Sequence, residues 1–180
     1  MLEAIVELDG NILLFIQEVI RNPILTPVFQ FVTTLGNAGM IWILICILLL
    51  LRKSTRRIGW MGLLALLGSL LVNNILLKNI VERPRPYDII EELQPLITRP
   101  KDFSFPSGHT GSSFAAAAVF YRNLPKQFGI WMILLAALIG LSRLYLGVHY
   151  PTDVLAGMLL GIALGYGAER LVNWLGEKRK

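Results

Sequence analysis

A short segment of this apolar chain, residues 142–153, carries an arginine, a histidine and an aspartate at spacings that suit nucleophilic or acid–base chemistry. His149 and Asp153 are four residues apart, and Pro151 between them favours the first turn of a helix. In that turn the Asp153 carboxylate would face back toward His149 and hold one imidazole nitrogen, leaving the other free to react. Arg143 would add a fixed positive charge. The alternative is that Asp153 only complements a helix N-terminus and His149 is a satisfied interfacial residue.

Two further motifs carry groups suited to binding an anion. Lys78 is followed seven residues later by Arg85 in the sequence Glu-Arg-Pro-Arg-Pro, and residues 106–109 read Pro-Ser-Gly-His. Together with Arg143 they contain three cations and no matching set of carboxylates, so the expected counter-charge is an anion from elsewhere. Arginine presents a planar fork that matches phosphate oxygens, and lysine presents a point charge. If residues 106–109 begin a helix, they add unpaired backbone N–H groups to the same anion site.

The two histidines of the chain, His109 and His149, both belong to these motifs. Two imidazoles beside a bound phosphate indicate covalent phosphoryl transfer, in which one attacks phosphorus and the other protonates the leaving oxygen. Simpler interpretations exist for each part: the cations could extend toward lipid headgroups, and Ser107 could be an ordinary helix N-cap. A metal site made of the two histidines and Asp153 is disfavoured by the three nearby cations. The joint occurrence of these groups favours the phosphate site.

The composition places the motifs in an integral membrane protein. Of the 180 residues, 54% are hydrophobic and 16% are charged, and the mean hydropathy is +0.60. Such a chain has too little polar surface to cover its apolar runs in water. The length suits a single domain, residues 1–180. Cys46 is the only cysteine, so neither a disulfide framework nor a cysteine metal site is expected. The first ten residues lack the basic region of a signal peptide.

The apolar runs predict an all-α bundle, because a helix satisfies its own backbone hydrogen bonds in lipid. Residues 4–21 are amphipathic and predict a helix that lies in the membrane interface or packs against the bundle. Residues 25–35 are compatible with a completed first span or with a short re-entrant helix. Five clearer spans follow, at residues 38–51, 58–77, 108–121, 128–146 and 154–175.

The basic residues decide the predicted orientation. Basic loops at residues 52–57 and 122–126 and the basic tail at 178–180 fall on one face, which the positive-inside rule assigns to the cytoplasm. The polar segment 79–106 and the turn 147–150 then lie on the outer face. All three motifs therefore meet at the outer membrane–water interface, and we expect segment 79–106 to lie over the site.

Taken together, the motifs resemble the three-part signature of the type 2 phosphatidic acid phosphatase (PAP2) superfamily. The matching segments are Lys78-x6-Arg85-Pro86, Pro106-Ser107-Gly108-His109 and Ser142-Arg143-x5-His149-x3-Asp153. The resemblance implies a bundle of about six membrane helices, no metal or other cofactor, and a phosphohistidine formed on His149. By the same resemblance Asp153 would orient His149, and His109 would act first as general acid and then as general base. The phosphate would be held by Lys78, Arg85, Ser107, Gly108 and Arg143.

Membrane-embedded members of that family act on lipid phosphates. The resemblance implies a metal-independent lipid phosphatase or diphosphatase in a bacterial plasma membrane, with its site facing the periplasm or exterior and undecaprenyl diphosphate as the expected substrate. Phosphatidylglycerol phosphate, phosphatidic acid and a lipid phosphotransferase reaction are alternatives. A non-catalytic lipid-binding or transport protein is another, although anion binding alone needs no histidines. The expected partners are the lipid substrate and membrane lipids, without nucleic acid or an obligate protein partner.

Overall fold

The structure is a computed structural model that describes residues 2–178, with side chains from residue 4 onward. In that range the chain is mainly helical and contains no strand. Arg179 and Lys180, which belong to the basic tail used to predict the orientation, lie outside it. The α-helices are α1 (Leu2–Phe15), α2 (Leu25–Leu35), α3 (Met40–Leu51), α4 (Arg56–Ser69), α5 (Lys78–Val81), α6 (Pro86–Ile89), α7 (Gly108–Asn123), α8 (Lys126–Tyr145) and α9 (Pro151–Glu177).

Six helical segments form the bundle within the described residues. They are α1, the bent pair α2 and α3, α4 with its π-helical continuation Leu70–Leu77 into α5, and then α7, α8 and α9. In the same range three stretches are long and apolar enough to cross a membrane, and the bent pair would make a fourth; the three are Arg56–Ile89, Lys126–Tyr145 and Pro151–Glu177. The predicted all-α membrane bundle is confirmed.

The break between α2 and α3 lies beside the predicted site. The two helices are inclined by 49°, and they have the length and hydropathy of a span only when both are counted together. The chain turns through Ala38 and Gly39, whose φ angles of +50° and +69° are left-handed. A side-chain carbon on Gly36 would lie 2.8 Å from His109 Cδ2. Glycine at this break therefore lets the α2 backbone approach that histidine.

A ridge of three glycines on α9 packs against α7, the most buried helix of the described chain. A side-chain carbon at Gly161 would lie 2.4 Å from Gly111 O, and one at Gly157 would lie 2.6 Å from Ser107 O. Gly165 extends the ridge one turn further. Small residues at such contacts allow two helix backbones to approach closely in a membrane. Because Gly157, at the end of the ridge nearest the motifs, contacts Ser107, this packing sets how α7 and α9 present the site.

Helix α1 packs against the bundle, which is one of the two placements that its amphipathic sequence predicts. Leu13 is fully buried in a cluster with Leu93 and Tyr150. Asp9 is only 2% exposed. The segment between α5 and α7, residues 82–107, is thereby held between α1 and the start of α9, at the end of the bundle where the motifs lie. We call it the outer segment after the side on which the sequence predicts it.

We expect Gly161→Ala to lower the stability of the detergent-solubilised protein by roughly 1–3 kcal/mol, because the added methyl group overlaps the α7 backbone. The measurement is thermal unfolding. Gly167→Ala on the same helix is the matched control, since no neighbouring heavy atom of the described chain lies within 4 Å of its side-chain position. Alanine there should be neutral or stabilising. Equal melting temperatures for the two variants would contradict the close packing of α7 and α9.

Candidate active site

A cavity of about 570 Å³ gathers the three motifs. Six of the eight residues identified from the sequence line it: Lys78, Arg85, Gly108, His109, Arg143 and His149. The other two, Ser107 and Asp153, are fully buried and adjoin the lining, Ser107 at the start of α7 and Asp153 beside His149. Among residues 2–178 no group of three His, Cys, Asp or Glu side chains is arranged to hold a metal ion.

His149 lies in the turn between α8 and α9 and is held on one side by Asp153. The Asp153 Oδ2 atom accepts a hydrogen bond from Tyr150 N at 2.9 Å and lies 3.4 Å from His149 Nδ1. The other ring nitrogen, Nε2, lies 3.1 Å from Arg85 Nη1. Since arginine can only donate, Nε2 carries a lone pair in this contact. Burial lowers the pKa of His149 to about 3, against the opposing effect of Asp153, so the imidazole is neutral at neutral pH.

Lys78 and Arg85 share the carboxylate of Asp102, which belongs to the outer segment. Arg85 Nη2 donates to Asp102 Oδ1 at 2.5 Å, and Lys78 forms an ion pair with Oδ2. The expectation that these cations find their counter-charge only outside the protein is therefore corrected. Burial on its own would raise the pKa of Asp102, but the two cations outweigh it and lower the pKa to about 2. The Asp102 side chain is 57% exposed, so an incoming anion can compete for the same cations.

Arg143 is the third cation and is almost fully buried. Its Nη1 donates to Thr33 Oγ1 of α2 at 2.6 Å. Its Nε has no hydrogen-bond partner in the part of the chain that the structure describes. A buried charged donor without an acceptor is costly. Because Arg143 lines the cavity together with His149, an anion bound there would complete its hydrogen bonding.

The start of α7 presents His109 to the cavity. Ser107 Oγ accepts hydrogen bonds from Thr110, as the N-cap residue of α7. Its contacts are therefore those of the ordinary helix N-cap that was the simpler interpretation of this serine. Gly108 is required next to it, because a side-chain carbon there would lie 2.2 Å from Asn74 Oδ1. His109 Nε2 donates to Asn37 Oδ1 at 2.9 Å. The break between α2 and α3 thus orients the ring of His109.

Several residues that support the site were not identified from the sequence, among them Asn37, Asp102 and Ser104. Ser104 Oγ donates to Asp153 Oδ2 at 2.5 Å. Asp102 and Ser104 lie just before the Pro-Ser-Gly-His motif, and this nearness was the available signal. Asn37 lies far from all three motifs in the sequence, and only the helix break brings it to the site.

Known proteins resemble this chain in sequence and in structure. Residues 58–177 match the PAP2 superfamily. An undecaprenyl-diphosphatase of Sulfolobus acidocaldarius is 35% identical over 121 residues, 67% of this chain and 58% of that protein. Phosphatidylglycerophosphatase B of Bacillus subtilis is 37% identical over 180 residues, 89% of this chain and 80% of that protein. The crystal structure of a transmembrane PAP2-type phosphatidylglycerolphosphate phosphatase from Bacillus subtilis superimposes with a TM-score of 0.76 at 33% identity, covering 98% of this chain and 88% of that one.

The fold and these similarities together define a class, the membrane-embedded lipid phosphatases. The chain belongs to the PAP2 superfamily. The matched region, residues 58–177, contains all three motifs. The family resemblance drawn from the sequence is therefore confirmed, and the structural likeness extends it to the helices that precede the matched region.

Proposed function

We propose that this chain removes a phosphate from a membrane lipid through a phosphohistidine on His149. The observation that carries the proposal is a neutral imidazole, backed by Asp153, that turns Nε2 toward a cation-lined cavity. Nε2 attacks phosphorus, the P–O bond to the lipid breaks, and His109 donates a proton to the leaving oxygen. A water molecule that gives its proton to His109 then attacks phosphorus. The P–N bond breaks, and inorganic phosphate is released.

The three cations would stabilise the charge that develops during both steps. Lys78, Arg85 and Arg143 line the cavity around His149. Phosphoryl transfer needs little covalent help beyond the nucleophile, because charge spreads over the oxygens that do not react. Donors already in place for those oxygens stabilise the transition state without reorganising. The unpartnered Nε of Arg143 is such a donor.

For the substrate, we propose undecaprenyl diphosphate, with phosphatidylglycerol phosphate as the second candidate. The cavity supports a lipid in either case, since the wall that continues from the cations is apolar and is formed by Ile43, Leu63, Leu66, Leu67 and Leu70. The first candidate is the substrate named for the archaeal relative, and the second is named for the relative that aligns with 89% of this chain. Phosphatidic acid and transfer of the phosphoryl group to a lipid acceptor are further outcomes of the same chemistry.

We also propose that the protein lies in a bacterial plasma membrane with the site on the outer face. The supporting feature is the distribution of basic residues: residues 52–57 follow α3 and residues 122–126 join α7 to α8, at the helix ends away from the motifs. The positive-inside rule assigns such loops to the cytoplasm. The lipid substrate and the surrounding membrane lipids are the partners that this placement requires.

The deciding experiment is phosphate release from a panel of lipids by the detergent-solubilised protein in the presence of EDTA. The panel contains undecaprenyl diphosphate, phosphatidylglycerol phosphate and phosphatidic acid. Release that survives chelation supports the metal-independent mechanism, and the lipid with the highest kcat/KM identifies the substrate. Transfer of label to an added lipid alcohol in place of water would indicate a phosphotransferase. Failure to release or transfer phosphate from any of these lipids would favour a non-catalytic lipid-binding protein.

Asp102→Asn is expected to strengthen inhibition by inorganic phosphate roughly three- to tenfold, because a partly exposed ion pair contributes on the order of 1 kcal/mol. The physical reason is that the Asp102 carboxylate occupies Lys78 and Arg85 in the structure, so that phosphate must displace it. The measurement is the inhibition constant of phosphate at neutral pH. Asp88→Asn, an exposed change in the same outer segment, is the control and should leave the constant unchanged. Weaker inhibition in Asp102→Asn would show that the carboxylate helps to organise the site.

A further inference from the structure

The carboxylate that holds His149 is itself held by Arg83, which occupies one of the unspecified positions of the first motif. Arg83 Nη1 donates to Asp153 Oδ1 at 2.7 Å and to Thr152 Oγ1 at 2.7 Å. Its Nη2 donates to Asp9 Oδ2, in α1, at 2.8 Å. Arg83 therefore links the first helix of the chain to the first turn of α9.

Asp9 fixes the other side of this link. It is buried although it is a carboxylate on the polar face of an amphipathic helix, and it accepts hydrogen bonds from the backbone N and the hydroxyl of Thr152. The Arg83 guanidinium also lies over the ring of Tyr150, with Cζ 3.9 Å from the ring centroid. With partners on three sides, the guanidinium has one defined position relative to Asp153.

We propose that Arg83, fixed by Asp9, is a positioning residue for the reaction at His149; this rests on the phosphatase function proposed above. Asp153 is fully buried, and a buried carboxylate without a cation tends to take up a proton. Arg83 supplies the cation and binds Oδ1, which leaves the ionised Oδ2 to face His149. An ionised carboxylate can only accept, so the proton stays on Nδ1 of His149 and the lone pair stays on Nε2.

The simpler alternative is that the Asp9–Arg83 pair only fastens α1 to the bundle. In that case its loss would lower stability and leave the proton on the same nitrogen of His149. The chain contains only two histidines, so ¹⁵N-histidine labelling gives ring signals from only two imidazoles, one Nδ1 and one Nε2 signal from each. The tautomer of His149 can therefore be observed directly, whether or not the protein is turning over substrate.

The test uses the whole chain in detergent, labelled with ¹⁵N-histidine, as wild type and as Arg83→Gln and Asp9→Asn; His109→Asn assigns the signals. We expect the Nδ1–H tautomer of His149 in the wild type and a mixture of tautomers or protonation states in the other two. In turnover, kcat should fall about 10- to 100-fold in Arg83→Gln, by analogy with the loss when the outer partner of a metal-bound histidine is removed. KM should be unchanged, and Arg83→Lys should recover part of kcat because it keeps the charge.

Arg122→Gln is the matched control. Arg122 Nε also pairs with a carboxylate of α9, Glu169 Oε2 at 2.7 Å, and its guanidinium lies over the ring of Tyr166, but at the opposite end of the helix. It should change neither the tautomer nor kcat.

Two results would overturn the proposal: a His149 signal that is the same in wild type, Arg83→Gln and Asp9→Asn, or a kcat for Arg83→Gln no lower than that of Arg122→Gln. Asp9→Asn, which preserves the shape of the side chain, carries the test if Arg83→Gln does not fold. A wild type that releases no phosphate would instead refute the phosphatase function. The tautomer measurement would still decide the role of Arg83.

Discussion

In the His149→Ala protein, release of phosphate from the lipid substrate is expected to fall by a factor on the order of 10⁴ or more, because removal of a covalent nucleophile leaves only binding and electrostatic stabilisation. The loss should be in kcat. The imidazole is the group that His149 turns toward the cations of the cavity, and its low pKa keeps it unprotonated across the physiological range. The measurement is steady-state release of inorganic phosphate at neutral pH.

Labelling provides the control for this prediction. With a lipid carrying ³²P, an alkaline quench should trap label on the wild-type protein, since phosphohistidine is stable in base, and should trap none on His149→Ala. Melting temperatures of the two proteins should be similar, because Asp153 keeps its contacts with Arg83, Ser104 and Tyr150. Release at the wild-type rate in the variant would remove His149 as the nucleophile.

Replacing His109 with alanine should lower kcat on the lipid substrate by about 10²–10⁴-fold, the usual contribution of a general acid or base. The loss should depend on the leaving group. An aryl phosphate whose phenolate leaves without protonation bypasses the first role of His109, while hydrolysis of the phosphoenzyme still needs the second. We therefore expect His109→Ala to release a burst of one phenolate per site, followed by slow turnover, in rapid-mixing measurements.

The same burst experiment separates the two histidines. His149→Ala should show no burst with the aryl phosphate, because no covalent intermediate can form. If His109→Ala lost equal activity on the lipid and on the aryl phosphate and showed no burst, His109 would have no role in protonating the leaving group. Its contact with Asn37 would then only support the fold.

The three motifs were readable from the sequence because their residue types and spacings follow from the chemistry of binding and transferring a phosphate. The pairing of His149 with Asp153 needs only the geometry of one helical turn. The small residues of α7 likewise predict close packing, which the glycines of α9 complete. Each of these features can be predicted from residues that are close in the sequence or from a pattern within one helix.

Other parts of the site depend on contacts between distant segments. Asp9 lies on the polar face of an amphipathic helix, and such a face can meet water, headgroups or a buried partner; only the fold shows that it meets Arg83. Arg83 stands two residues before Arg85. The spacing of the first motif identifies Arg85 as the arginine of the site, but no pattern in the sequence shows that Arg83 contacts Asp153. Asp102 belongs to a segment of mixed charge, and its ion pairs with Lys78 and Arg85 form only when that segment closes over the helices.

The glycine ridge of α9 does not by itself fix the register in which α9 packs against α7. Gly157, Gly161 and Gly165 are spaced by four residues, so sliding α9 along α7 by four residues, about 6 Å, would place one glycine where another had been. The ridge alone cannot tell these registers apart. The polar contacts at the end of the ridge nearest Ser107 do distinguish them, because Ser107 N donates to Asp153 O at 3.0 Å and Arg83 donates to the Asp153 carboxylate.

Asp153, which we propose orients His149, also helps to select the helix register, so activity should report correct assembly of α7 and α9. A slipped bundle would separate Asp153 from Arg83 and Ser104 and would be inert toward lipid phosphates. For the same reason Asp153 is a poor position for an inactive variant intended to capture a bound substrate, since its replacement removes the side-chain contacts with Arg83 and Ser104 that help to fix the register. His149 can be replaced without touching that contact, and it is the better choice for a substrate-trapping form.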